Sequence, residues 1–168
     1  MNPETKGATQ TTFTLRCVIR RAIMRLDIEW LAKEIGINPL NEDKREALQT
    51  AFEFEFLNRN MPLIHQGTSL HDLYLLRSGS LRITRRNGSG DITLGFSNKN
   101  RTFGEISFFG DEPATASVIA ETPSEVYKLS CEKYHWLMKN HADLAMKLMA
   151  YILRGMGEVI RDMNNSRH

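Results

Sequence analysis

The sequence predicts a mainly β protein with flanking helices: an antiparallel β-roll, or jelly roll, of about eight strands, preceded by N-terminal helices and followed by a long C-terminal helix. Three observations predict it. Apolar residues recur three and four apart before residue 36 and again after residue 130. Between those stretches the period drops to two. The period-two region is also cut into short runs by turn dipeptides at close spacing.

In chain order, residues 1–12 are polar and turn-prone and read as a tail, and residues 13–50 read as a helical segment. Leu15, Val18, Ile19, Ala22, Ile23, Leu26, Trp30 and Leu31 form one stripe, predicting a helix from Phe13 to Ile35 that stops at Gly36 and Pro39. A second, short helix is expected after Asn41, whose side chain suits an N-cap. Residues 51–130 read as the roll. Phe52, Phe54 and Phe56 alternate with Glu53 and Glu55 as in a half-buried strand. Further strands are expected over 62–66, 73–76, 80–85, 92–96, 116–121 and 125–129, with turns at Gln66-Gly67, Ser78-Gly79, Asn87-Gly88 and Gly90-Asp91. Residues 131–168 read as C-terminal helices, a lid or dimer seam. Ala145, Met149, Ile152, Met156, Val159 and Met163 alternate spacings of four and three, a heptad seam, with Leu144, Leu148 and Ile160 as a second apolar flank.

Composition narrows the class. The chain has 168 residues, 41% hydrophobic and 25% charged, as in ordinary globular domains. A net charge of +2 gives no global excess for binding nucleic acid. Cys17 and Cys131 have no pairing or zinc-ligand spacing, which fits a reducing cytoplasm. His65, His71, His135, His141 and His168 form no HxxxH or HExxH pattern, so no metal site is expected. No G-x-S-x-G elbow, P-loop or G-x-G-x-x-G is present, and no enzyme is predicted. No apolar run reaches the roughly 18 residues a membrane span needs. Arg16, Arg20, Arg21 and Arg25 make the first helix basic; the reading favoured here is a solvated face rather than a membrane or nucleic-acid contact.

The stretch Phe103-Gly104-Glu105-Ile106-Ser107-Phe108-Phe109-Gly110-Asp111-Glu112-Pro113-Ala114-Thr115-Ala116-Ser117-Val118 carries the functional information. A Gly-Glu opens a short apolar turn, and a loop passes through Pro to small hydroxyl-bearing residues before a strand. Such a piece can present backbone N–H groups to an anion. Together with Gln66-Gly67, Leu73-Tyr74-Leu75-Leu76, Ser78-Gly79-Ser80 and Val126-Tyr127-Lys128-Leu129, it resembles the cyclic nucleotide-binding domain family from about Phe52 to Asn140. The family includes bacterial catabolite activators and protein kinase A regulatory subunits.

The resemblance implies a jelly-roll sensor for cAMP or another cyclic nucleotide, with no other cofactor. It places Glu105 on the ribose hydroxyl. Gly104, Ile106, Ser107, Ala114, Thr115 and Ala116 complete the ligand-binding cassette through amides or hydroxyls. The family's phosphate-pairing Arg does not carry over, because Ala114 stands at its position. Loss of such a charge-assisted pair costs at least about 1.5–3 kcal/mol, or roughly one to two decades of affinity. Arg101 and Arg85, within a basic run from Arg77 to Arg101 that contains only one acid, are the candidate substitute cations.

The expected function is a non-enzymatic regulatory or sensor module, with a homodimer through the C-terminal helix and an unknown protein partner. The alternative is a degenerate module that binds no nucleotide and serves protein interaction or dimerisation. The sequence runs to His168 without a helix-turn-helix, so a partner rather than DNA is expected to receive the signal.

Overall fold

The structure, a computed structural model, describes residues 26–98 and 101–165, apart from the side chain of residue 163. The expected tail, the arginines of the first helix up to Arg25, and Cys17 lie outside the described residues.

Helix α1 (Ile28–Ile35) begins at Asp27 rather than continuing a longer helix. Asp27 has φ −85° and ψ 89°, and its carboxylate accepts from the Trp30 amide at 3.0 Å. The apolar stripe crosses this point without a break in spacing, but the Asp27 side chain takes the first-turn amide, and α1 begins there. Gly36 closes α1 in the left-handed conformation. Asn41 caps α2 (Glu42–Ala51) through the Lys44 amide at 3.0 Å, and α2 runs directly into the first strand.

Among the described residues eight strands follow: β1 (Phe52–Leu57), β2 (Pro62–Ile64), β3 (Asp72–Ser78), β4 (Ser80–Asn87), β5 (Gly90–Asn98), β6 (Thr102–Phe103), β7 (Ser117–Ala120) and β8 (Ser124–Ser130). They form two four-stranded antiparallel sheets, ordered β1-β8-β3-β6 and β2-β7-β4-β5. This is the expected roll. β6 has two residues, too few for any periodicity to reveal. A short helix, α3 (Glu105–Phe109), lies between β6 and β7.

Two apolar cores explain the strand sequences. One fills the roll, with Leu57, Leu63, Ile64, Tyr74, Leu76, Leu81, Phe103, Val118, Ala120 and Val126. The other lies between the first sheet and the helices, where Phe52, Leu73, Leu75, Tyr127 and Leu129 meet Leu31, Ile35, Leu48, Leu137, Leu144, Leu148 and Ile152. On β3, Leu73 and Leu75 serve the helical core while Tyr74 and Leu76 serve the roll. A strand buried on both faces therefore reads as a continuous apolar run.

The C-terminal helical region is two helices. α4 (Cys131–Asn140) ends at His141, with φ −142° and ψ 60°, and α5 (Ala142–Asn165) starts again beyond it. The corner is tied to α2 by Lys44–Asp143 at 3.2 Å and His141–Asp43 at 3.5 Å. Among the described residues no helix is long and apolar enough to cross a membrane.

Candidate functional site

The cassette hangs from β3. β6 pairs with it antiparallel, Tyr74 opposite Phe103 and Leu75 opposite Thr102. Gly104 then turns the chain with φ 91°, and a Cβ there would sit 2.5 Å from the Asp72 carbonyl oxygen. Both the left-handed φ and the close approach require glycine. Phe108 anchors α3 in the helical core, edge-on to Tyr134. This leaves Glu105 and the exposed Ile106 on the outer side of the turn.

Several predicted residues shape the cassette. The buried Ser107 hydroxyl donates to the Glu112 carbonyl at 2.8 Å, and Nδ1 of His71 lies 3.1 Å from the Ser107 carbonyl. Ala114 is bound both ways to the turn after β2: its amide donates to the Thr68 carbonyl at 2.9 Å, and its carbonyl accepts from the Gly67 amide at 2.8 Å. The Ala114 amide is thus already engaged. Thr115 is exposed and Ala116 half-buried.

A cleft of about 770 Å³ lies between the β4–β5 hairpin, the start of the cassette and the second half of α5. Its wall brings together Glu105, Ile106, Arg85 and Arg101 of the predicted residues. Gly104, Ser107, Ala114, Thr115 and Ala116 are not part of that wall. The Thr102 hydroxyl donates to the Glu105 carboxylate and orients it. Arg101 pairs with Asp162 of α5 at 2.7 Å, spanning the cleft mouth. Arg85 donates from Nε to the Thr115 carbonyl at 3.4 Å.

Sequence reasoning missed Phe96, Ser97 and Thr102, and it read Met156 and Val159 as parts of a dimer seam rather than of a cleft. Among the described residues no group of three or more His, Cys, Asp or Glu is placed to hold a metal ion.

Comparison with known proteins agrees with this architecture. The family model for the cyclic nucleotide-binding domain matches residues 54–141. The cAMP-activated global transcriptional regulator CRP of Shigella flexneri is 31% identical over 94 residues, covering 55% of this chain and 45% of the relative. The cyclic AMP receptor protein of Thermus thermophilus is 29% identical over 108 residues, covering 64% and 50%. The chain thus spans about half the length of the curated relatives it matches. Among solved structures, a cyclic nucleotide-binding domain from Methylobacillus flagellatus superposes with a TM-score of 0.74 at 18% identity, over 83% of this chain and 81% of that one. The Thermus thermophilus catabolite activator protein gives 0.62 at 25% identity, over 80% and 63%. With the roll, the Gly104–Glu105 turn and more than half of the residues matched in one family model, the chain belongs to the cyclic nucleotide-binding domain family.

Proposed function

We propose that the chain is a non-enzymatic, cytoplasmic sensor module that binds a cyclic nucleotide, cAMP first among candidates, beneath the second half of α5. The observation that carries this reading is the cleft: about 770 Å³, walled by Glu105 on one side and by Met156, Val159 and Ile160 on the other. That volume suits a nucleotide-sized ligand. Glu105 accepts from the sugar hydroxyl, and the apolar residues of α5 close on the base. A ligand that prefers one position of α5 shifts the helix toward it, and this shift is the signal. Glu105, Ile106 and Arg85 contact the ligand from the roll. Gly104, Ser107, Ala114, Thr115 and Ala116 hold the cassette in shape and contribute what amides remain free.

The surface that transmits the signal is proposed to be a homodimer seam on α5, read by a protein partner. Met146 and Leu153 follow at an interval of seven and are 72% and 60% exposed, with Ala150 between them. This outward stripe is displaced by one residue from the seam expected from sequence. Ala145 and Ile152 of that seam are buried in the helical core.

Calorimetric titration with cAMP, cGMP and cyclic dinucleotides tests the reading. Binding at micromolar concentration or tighter, lost in Glu105→Ala, is the expected result. A folded protein that gives no heat up to millimolar ligand contradicts it. That outcome would favour the second reading, a degenerate module for protein interaction, for which Ala114 and its engaged amide are the supporting observations.

A further inference from the structure

The arginines between β3 and β6 divide sharply by their partners. Arg77 pairs with Asp27 and Glu125, Arg82 with Glu121 at 2.8 Å, Arg86 with Asp91 at 3.1 Å and Arg101 with Asp162 at 2.7 Å. Among the described residues Arg85 has no carboxylate partner, and its guanidinium rests on a backbone carbonyl, that of Thr115. Along β4, Leu81 is buried in the roll, Ile83 packs against the same core, and Arg85 follows two residues on, lining the cleft beside Ile83. Thr84 is the buried residue before it, and Arg85 is exposed at the solvent edge of the cleft. Gly95 of β5, opposite Ile83, has open space where a side chain would stand, so nothing fills the cleft at that level.

One further polar residue of the wall is buried. Ser97, on β5 and in the wall of the same cleft, is 3% exposed, and its hydroxyl has no hydrogen-bond partner among the described residues. Buried hydroxyls are nearly always satisfied. Ser97 stands opposite Leu81 and Arg85 opposite Ile92, so the hydroxyl lies farther along the sheet than the guanidinium and is no part of a shared anion site.

We propose that Arg85, held against the loop carbonyl of Thr115, provides the counter-charge for the phosphate of the bound cyclic nucleotide, in place of a cation at residue 114. This rests on the nucleotide reading above. Arg85 reaches the cleft from β4, across from the cassette. The loop carbonyl of Thr115 holds its side chain in position while the guanidinium's remaining N–H groups stay available for a phosphate oxygen.

Equilibrium titration of the full chain with cAMP over a range of sodium chloride concentrations tests the proposal. Wild-type, Arg85→Gln, Arg85→Lys, Arg101→Ala and Glu105→Ala proteins are compared, with thermal melting as the check on folding. The expected result is that Arg85→Gln weakens binding about 10- to 100-fold and flattens its salt dependence, because the screened charge pair is gone. Arg85→Lys restores the salt dependence. Arg101→Ala retains it. If Arg85→Gln binds cAMP as wild type does while Glu105→Ala loses it, the nucleotide reading stands and the assignment of Arg85 falls. An equal loss in Arg85→Gln with the wild-type salt slope assigns the residue a structural role and also overturns the proposal. Wild-type protein that binds neither cAMP nor cGMP overturns both readings.

Discussion

Asp27 shows how much one residue beyond the family segment contributes. Its carboxylate caps α1 through the Trp30 amide and accepts from Arg77 Nη2 at 2.8 Å, while its own amide donates to the Tyr127 hydroxyl at 2.7 Å. One residue, through its side chain and its own amide, thereby fixes the start of α1, the end of β3 and the middle of β8. The Trp30 amide, and then the Arg77 guanidinium, hold the Asp27 carboxyl below its ordinary range. A depressed native value means that the stabilisation is complete above the ordinary carboxylate range and is lost as acid titrates the folded state. Asp27→Ala is expected to lower stability by about 1 kcal/mol at neutral pH, the usual worth of a cap. In urea unfolding the difference from wild type should shrink in acid; a difference independent of pH would contradict the assignment. The local part of such chemistry is legible in sequence, as at Asn41, whose partner lies three residues away. The cap of Asp27 on Trp30 is as local but lay under an unbroken apolar spacing, and its bonds to Arg77 and Tyr127 were hidden because those residues are 50 and 100 positions distant. Glu105 was legible because its turn is contiguous. The unpaired state of Arg85 became visible only when every neighbouring arginine had found its acid.

Among the elements, α5 departs furthest from its sequence pattern. The spacing of four and three was correct for a helix, but it said nothing of which neighbour each face would meet. Leu144, Ala145, Leu148 and Ile152 enter the helical core, and beyond Ile152 the helix runs past that core to the cleft. The break at His141 escaped notice because the apolar spacing runs through it. Exposed Met146 and Leu153 make no contribution to the core. Replacing both by Glu is expected to convert a dimer to a monomer in sedimentation velocity and to leave the melting temperature of the fold nearly unchanged. Dimers that persist in the double variant would remove α5 as the seam.

At the scale of the molecule, two cores share β3 and β8, so the roll and the helices form one body up to Ile152. The second half of α5 stands outside that arrangement. Gly155 and Gly157 weaken the helix there by about 1 kcal/mol each relative to Ala, and Met156, Val159 and Ile160 are exposed over the cleft. The segment best placed to move is therefore the one that roofs the site. The roll itself was readable because its turns and alternation are local properties. The cleft was not, because it arises where a hairpin, a cassette and a distant helix converge. Hydrogen exchange at saturating cAMP tests the account most directly. Amides over 155–162 and 102–106 should gain protection, while those over 144–152, already held in the core, change little. Unchanged exchange over 155–162 and 102–106 would contradict a nucleotide site beneath α5.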